Sequence, residues 1–328
     1  MTKSRRAVID VGSSTAKFAI YDWSLGKAQV YLESDDVATG LGKGLKVGGK
    51  LPAEGKRATL AAISDFVARI ESAGASLDLL AATEAVRRAA DGEVFLDELR
   101  ARLGEATDVR CIDAETEAKW ALRSAQESLE LPERPLLSID TGGSSHDFAM
   151  LDSNPGRGGA DDWVSLPFGM IQLMEIAPPQ AAAGRLGAQQ VDDLSTFLRR
   201  EFHKLRVCMK RGRGLPQRIV GTSGAILSLA TVDAELGPSS KQERARLVHG
   251  RIIQRLTIDS MIAVAAEMSA AERRLMMPSL TELRAPIFVH GALIYRELLE
   301  VMELDEVTVN ARGMKLGGLH ELQDARKP

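Results

Sequence analysis

The chain has 328 residues, enough for two domains with cores of their own, and its 45% apolar and 27% charged residues are those of an ordinary folded protein rather than a disordered or fibrous one. No apolar run approaches the roughly 18 residues of a membrane-spanning helix, which excludes a membrane partner of that kind. A net charge of -3 gives no global attraction to polyanions, so an anion site has to be assembled locally.

The opening residues, MTKSRRAVID, pass from a few basic side chains straight into a strand with no signal-peptide core, and a cytoplasmic location is the expectation. Residues 7–9 are a short apolar run ending in Asp10; Gly12, Ser13, Ser14 and Thr15 make a small polar turn, and 18–21 are apolar again, which predicts a hairpin. Residues 29–33 read as a third strand and the Gly-rich stretch through Gly49 as loop. Leu60, Ile63, Val67 and Ile70 recur at helical spacing, with Gly74 as a stop. Residues 77–82 are the next strand, 83–90 a loop and helix start; Phe95, Leu99 and Leu103 mark a helical face, 109–112 a strand and 114–129 a helix. Alternating strands and helices argue for an α/β fold. Cys111 and Cys208, in an apolar strand-like run and an amphipathic helix-like run, are read as core thiols rather than a disulfide or a metal pair.

Residues 130–135, with Pro132 and Pro135, are the expected hinge, which places the domains at 1–130 and 131–328. Beyond it the pattern restarts, with strands at 136–140, 146–151 and 163–166 and a Gly-rich turn at 154–159 between the last two. Val191, Leu194, Leu198, Phe202 and Leu205 share one helical face. A strand at 218–221, a helical run, a long helix around 247–268, a strand at 286–290, a helix at 292–302 and a strand at 307–309 complete the reading.

Asp140, Gly142, Gly143, Ser144 and Ser145 repeat the device of the first hairpin about 130 residues later. A third small-residue loop, Gly221, Thr222, Ser223 and Gly224, follows a strand and precedes a helical run, the geometry in which a helix N-terminus receives an anion. Glycines after a strand let main-chain N–H groups approach an anion with no Cβ in the way. One such loop is a capped turn; three together point to a phosphate cradle.

With these blocks in place, the chain resembles the exopolyphosphatase/guanosine pentaphosphate phosphatase family of the actin, Hsp70 and sugar-kinase superfamily. The blocks, in order, are VIDVGSSTAKFAIYD at 8–22, TGLGKGL at 39–45, ATEAVRRAADGEVF at 82–95, IDAETEAKWAL at 112–122, IDTGGSSHDF at 139–148, SLPFGMIQL at 165–173, GTSGAI at 221–226 and LRAPIFVHGALI at 283–294. The resemblance implies two actin-like, ribonuclease H-like α/β domains around a central cleft. It also implies a Mg²⁺-dependent phosphoanhydride hydrolase releasing terminal phosphate from inorganic polyphosphate or guanosine pentaphosphate, with a homodimer left open.

The chemistry needs a phosphate cradle, a metal to neutralise charge and a group to activate water. Asp10, Asp140 and Asp147 are the metal candidates, since Mg²⁺ shared with phosphates takes few carboxylates and keeps several waters. Periodicity does not choose between Glu115 and Glu117 as base. The resemblance does: the family's general-base glutamate falls on Glu117, where burial is expected to raise its pKa. Arg87 occupies the family's phosphate-contacting arginine position, the alternative being a surface arginine beside Arg88. Ser144, His146 and Asp147 depart from the family's Gly, Thr and Glu, Ser14 from its Asn, and Leu316 stands where the family has a glutamate. His146 is an alternative acid or ligand, or a hydrogen-bonded strand residue.

Between Arg199 and Arg218 the cations outnumber the single acid Glu201. Lys204, Arg206, Lys210, Arg211 and Arg213 either line a channel for a long polyanion or form the solvated face of a helix. Nucleic acid is excluded by the lack of stacking aromatics there, Phe197 and Phe202 both falling on the apolar face. Two other functions stay open: a cleft that binds polyphosphate or a guanosine alarmone without cleaving it, and an ATP-dependent kinase or ATPase of the same superfamily.

Overall fold

A computed structural model describes residues 5–23, 30–46, 48–129, 131, 135–151, 162–178, 185–210 and 215–325. It divides into two compact units, one running through Trp120 and resuming at Met314, the other Ala121–Gly313. The first unit holds β1 (Arg5–Val11), β2 (Thr15–Asp22), β3 (Val30–Ala38), α1 (Ala53–Ser72), β4 (Ser76–Ala82), α2 (Glu84–Arg88), α3 (Gly92–Leu103), β5 (Asp108–Cys111) and the start of α4 (Ala114–Ser128). Its sheet runs β3-β2-β1-β4-β5, antiparallel across the hairpin strands and parallel from β1 to β5. The central strand β1 is buried from Ala7 to Val11, apolar except for Asp10, as expected of a strand covered on both faces. α1 lays Ile63, Phe66 and Ile70 on this sheet, with the Phe66 ring 4.7 Å from that of Phe18, and Gly74 ends the turn at φ +66°.

The second unit holds β6 (Leu136–Thr141), β7 (His146–Leu151), β8 (Asp162–Leu166), α5 (Met170–Ile176), α6 (Ala188–Lys210), β9 (Arg218–Gly221), α7 (Gly224–Asp233), α8 (Lys241–Val248), β10 (Ile252–Gln254), α9 (Arg255–Ala266) and α10 (Ala270–Met276). A 3₁₀ turn (Ala285–Ile287), α11 (Phe288–Met302) and β11 (Glu306–Val309) complete it, and α12 (Met314–Ala325) follows. Its sheet order is β10-β11-β9-β6-β7-β8. From β8 to β11 this repeats the first sheet from β3 to β5: three antiparallel strands opened by an Asp–Gly hairpin, then parallel strands outward. The two halves are therefore duplicates in topology as well as in loop sequence.

Several expectations are corrected. Residues 286–290 are a 3₁₀ turn and the start of α11, not a strand, because α11 is buried nearly all round and a continuous apolar run carries no period that separates helix from strand. The single helix expected over 247–268 is α8, then β10, then α9. Gly250 at φ +79° breaks it, and Ile253 is buried between exposed Ile252 and Gln254 in the alternation of a strand. Cys208 is exposed and Cys111 half-buried, so neither is a core thiol; both are free. Most of the expected hinge and the turn at 154–159 lie outside the described residues.

The second domain was expected to run to residue 328, but α12 returns to the first unit, packing on β1 and β4. Two glycines make this possible. A Cβ on Gly317 would run into the Trp120 carbonyl, and one on Gly318 would lie 2.7 Å from the Trp120 ring, while Trp120 Nε1 donates to Glu321 at 2.7 Å. Gly317→Val should therefore destabilise the fold by about 1–3 kcal/mol, read as a lowered Tm. Gly237→Ala, where no atom lies within 4 Å of the added carbon, should leave Tm unchanged or slightly raised. An unshifted Tm in Gly317→Val would mean α12 is not packed this closely.

Candidate phosphate-binding active site

In the first unit β1 delivers Asp10, 4% exposed, opposite its register partner Lys17, whose Nζ lies 3.3 Å from the carboxylate. The turn that follows closes through Gly12 N–H to the Thr15 carbonyl at 3.0 Å. The Ser13 carbonyl accepts from Gly42 N–H at 2.7 Å, and that of Ser14 from Thr39 and Gly40 at 3.0 and 3.1 Å. In a trans peptide the C=O and N–H point in opposite directions, so this clamp turns the Ser14 N–H away from the 39–42 segment.

The second unit uses the same device. Gly142 N–H donates to the Ser145 carbonyl at 2.9 Å, and the first N–H groups of α5, on Met170 and Ile171, donate to the carbonyls of Gly142 and Gly143 at 3.1 and 2.9 Å. The N–H groups of Gly143 and Ser144 are thereby directed away from α5, two consecutive donors presented together. Gly169 allows the approach: a Cβ there would sit 2.6 Å from the Gly143 carbonyl carbon. Across the hairpin Asp140 and Asp147 are register partners, and Asp147, 2% exposed, accepts from Ser145 Oγ at 2.8 Å. Like charges directly opposite on a strand pair destabilise it unless a proton or cation lies between them.

The third loop continues the sheet, Thr222 N–H donating to the Ile139 carbonyl at 2.8 Å, and Ser223 caps α7 by accepting from Ala225 and Ile226 N–H at 3.2 and 3.4 Å. Fully buried Tyr295 of α11 joins the two loops of this unit: its hydroxyl lies 3.1 Å from Ser223 Oγ and 3.5 Å from Thr141 Oγ1. Burial pushes its phenol well up, keeping it protonated. Arg284 lays its guanidinium against Gly224 at the start of α7. A cation over the positive end of a helix is favourable when an anion shares the site. Gly169, Tyr295 and Arg284 were not singled out from sequence, the first and last lying in matched blocks without a role and Tyr295 in an apolar run.

Arg87 and Glu117 both belong to the first unit, each tied to the residues that follow β5. Arg87 Nη1 donates to the Ile112 carbonyl at 2.6 Å, and the next residue, Asp113, caps α4 through Thr116 N–H at 2.8 Å and takes Glu117 N–H on its carbonyl at 3.0 Å. Glu117 is half-buried in the first turn of α4. Hydrogen bonds from Thr116, with Arg87 nearby, hold the Asp113 carboxyl below its usual range. Arg87, Asp113 and Thr116 line a cleft of about 560 Å³ with Arg110, Cys111 and Glu321.

Arg199, Lys204 and Arg206 of the basic segment are engaged by acids. Arg199 binds Glu297 at 2.5 Å, Lys204 binds Glu201 at 2.8 Å, and Arg206 binds the Val301 carbonyl and, at 2.5 Å, Glu303. That arrangement is the helix-face alternative for these three. The Lys210 side chain, Arg211 and Arg213 lie outside the described residues. Leu316 is 2% exposed, an apolar core residue.

His146 is fully buried, its Nδ1 3.0 Å from the Ser145 carbonyl and its ring edge-on to Phe168. Burial lowers its pKa to about 4, against a weaker raising effect of the Ser145 carbonyl, so it is a neutral structural residue near pH 7. Because the folded value lies below the unfolded one near 6.5, its contribution to stability is full above about pH 6.5. It is lost as pH falls through about 4, by up to about 3 kcal/mol. Urea unfolding near pH 7 and pH 4.5 should show a steeper acid loss for wild type than for His146→Gln; equal losses would mean the ring is not held neutral. For the cradle, Gly169→Ala should raise the Kd for tripolyphosphate about 10–100-fold in calorimetry without changing the circular dichroism spectrum. Unaltered affinity would detach the Gly143 loop from the site.

A model of the Ppx/GppA phosphatase family matches residues 24–325. Exopolyphosphatase 1 of Mycobacterium tuberculosis is 24% identical over 306 residues, covering 93% of this chain and 84% of that protein, and its Mycobacterium leprae counterpart is 25% identical over 311 residues. Among solved structures, the Aquifex aeolicus member of the Ppx/GppA family superposes with a TM-score of 0.79 at 25% identity over 99% of both chains. An exopolyphosphatase from Cytophaga hutchinsonii superposes with a TM-score of 0.80 at 20% identity over 98% of this chain and 99% of its own. With the duplicated sheet and paired Asp–Gly hairpins already described, these matches show the two-domain actin-like fold, and the chain belongs to the Ppx/GppA phosphatase family.

Proposed function

We propose that this protein is a phosphoanhydride hydrolase that releases terminal phosphate from inorganic polyphosphate or guanosine pentaphosphate. Family membership supports a phosphatase of the exopolyphosphatase type. The observation that carries the reading is the second hairpin, where the outward-turned N–H groups of Gly143 and Ser144 adjoin the opposed carboxylates of Asp140 and Asp147. Amide donors suit phosphate oxygens, and a carboxylate pair suits a hard divalent cation that phosphates also bind.

Among the described residues no group of three or more His, Cys, Asp or Glu side chains is arranged around a common point. Mg²⁺ is commonly held by one or two carboxylates with waters and substrate oxygens completing its shell. Asp140 and Asp147, register partners across the hairpin, would hold it. A bound Mg²⁺ would offset the charge of the phosphates. Glu117 takes the proton from the attacking water, the bond from that water's oxygen to the terminal phosphorus forms, and the phosphoanhydride bond breaks on the opposite side. Arg87 holds two oxygens of the scissile phosphate through its planar fork.

The test is phosphate release from polyphosphates of several lengths, guanosine pentaphosphate and ATP, with Mg²⁺ and with EDTA. Turnover of a phosphoanhydride other than ATP, lost in EDTA, is expected. Glu117→Gln should lower kcat by about 10² to 10⁴ with KM nearly unchanged. Binding of these compounds with no hydrolysis by wild type would make the protein a polyphosphate or alarmone reader instead, and ATP-dependent transfer would make it a kinase.

A further inference from the structure

The Gly-rich segment at 39–50 is bound directly to the first hairpin. Besides the hydrogen bonds from Thr39, Gly40 and Gly42, a Cβ on Gly42 would touch Ser13 Cβ at 3.0 Å and Ala85 Cβ of α2 at 3.4 Å. From below, Gly55 of α1 presses on Leu41, where a Cβ would lie 2.9 Å from the Leu41 Cα. At its far end the Gly49 carbonyl accepts from Ala90 N–H at 2.9 Å, just beyond Arg87 and Arg88. The segment is thus a clamped strap running from the Ser13–Ser14 turn to the end of α2, and its inner glycines 40, 44 and 48 adopt φ of +60°, +70° and +69°.

On this strap stand Lys43, Lys46 and Lys50, all exposed, with no acidic residue anywhere in 39–50. Among the described residues none of the three has an ion pair or side-chain hydrogen bond. Their neighbours differ: Lys17 is held by Asp10, Lys56 by Asp91 at 3.0 Å and Arg88 by Glu84 at 3.0 Å. A protein of net charge -3 that pairs Lys17, Lys56 and Arg88 with acids yet leaves these three lysines unpaired on a strap bound to the first hairpin concentrates positive potential there. The strap carries neither an aromatic ring to stack on a base nor a carboxylate to accept from guanine N–H groups, so its chemistry suits a chain of phosphates and not a nucleoside.

We propose that Lys43, Lys46 and Lys50 bind the phosphates of a linear polyphosphate chain beyond the unit held by the hairpin loops, and so select long inorganic polyphosphate over guanosine pentaphosphate. This rests on the reading of the hairpins as a terminal-phosphate cradle. The lysines act as point charges on flexible stems, which tolerate a chain whose repeat has no fixed side groups.

The experiment neutralises all three in the full chain, K43Q/K46Q/K50Q, and compares tripolyphosphate, guanosine pentaphosphate and a polyphosphate of tens of units over a salt series. For the long chain, kcat/KM should fall on the order of 10-fold or more and its salt dependence should flatten, as fewer counterions are released. For the two short substrates it should change by less than about twofold. Equal loss on all substrates, or none on the long chain, would overturn the proposal. Equilibrium binding of the long chain to wild type and variant is measured in parallel: if wild type hydrolyses nothing but binds long polyphosphate more tightly than the variant does, the hydrolase reading fails and the lysine strap stands.

Discussion

Each unit's hairpin turn is held from behind. A glycine-rich turn by itself is free to rotate its peptide planes, and its N–H groups average over many directions. In both hairpins the carbonyls are captured, by the 39–42 segment in one unit and by the first N–H groups of α5 in the other. Because each peptide is a rigid plane, binding one edge aims the other. The N–H groups of Ser14 in one unit and of Gly143 and Ser144 in the other are therefore fixed in direction by the backbone behind them.

The duplicated sheet makes the differences between the halves readable. Asp10 and Asp140 end equivalent central strands, but the residue across the hairpin is Lys17 in one case and Asp147 in the other. The same backbone geometry thus places a lysine opposite the strand-end aspartate in one half and a second aspartate opposite it in the other.

Charge elsewhere follows burial. Glu297 is fully buried on α11 and is held by Arg199 and Arg296, a pairing whose loss would strand a carboxylate in the core. Arg206, with a side chain only 13% exposed, closes on the carbonyl end of the same helix and on Glu303. These arginines serve α6 and α11 packing. The strap lysines, on glycine-shaped backbone with no acid within reach along the segment, do not.

Local chemistry determined much of this protein from sequence: the strand–Asp–Gly turns and the α/β alternation are short-range patterns whose physical cause lies within a few residues, whereas the choice of Glu117 over Glu115 came from the family resemblance alone. The burial of α11 did not show, because an apolar run that packs on all sides has no period, and the break at Gly250 was hidden in an otherwise helical composition. The return of α12 to the first unit rests on two glycines meeting Trp120, a contact about 200 residues apart in the chain. Nor could sequence say which cations are spent: Arg199 and Arg206 read like Lys43 and Lys46 until their acids are brought alongside. Residue type sets what a side chain can bind, and only the tertiary structure decides what it already binds.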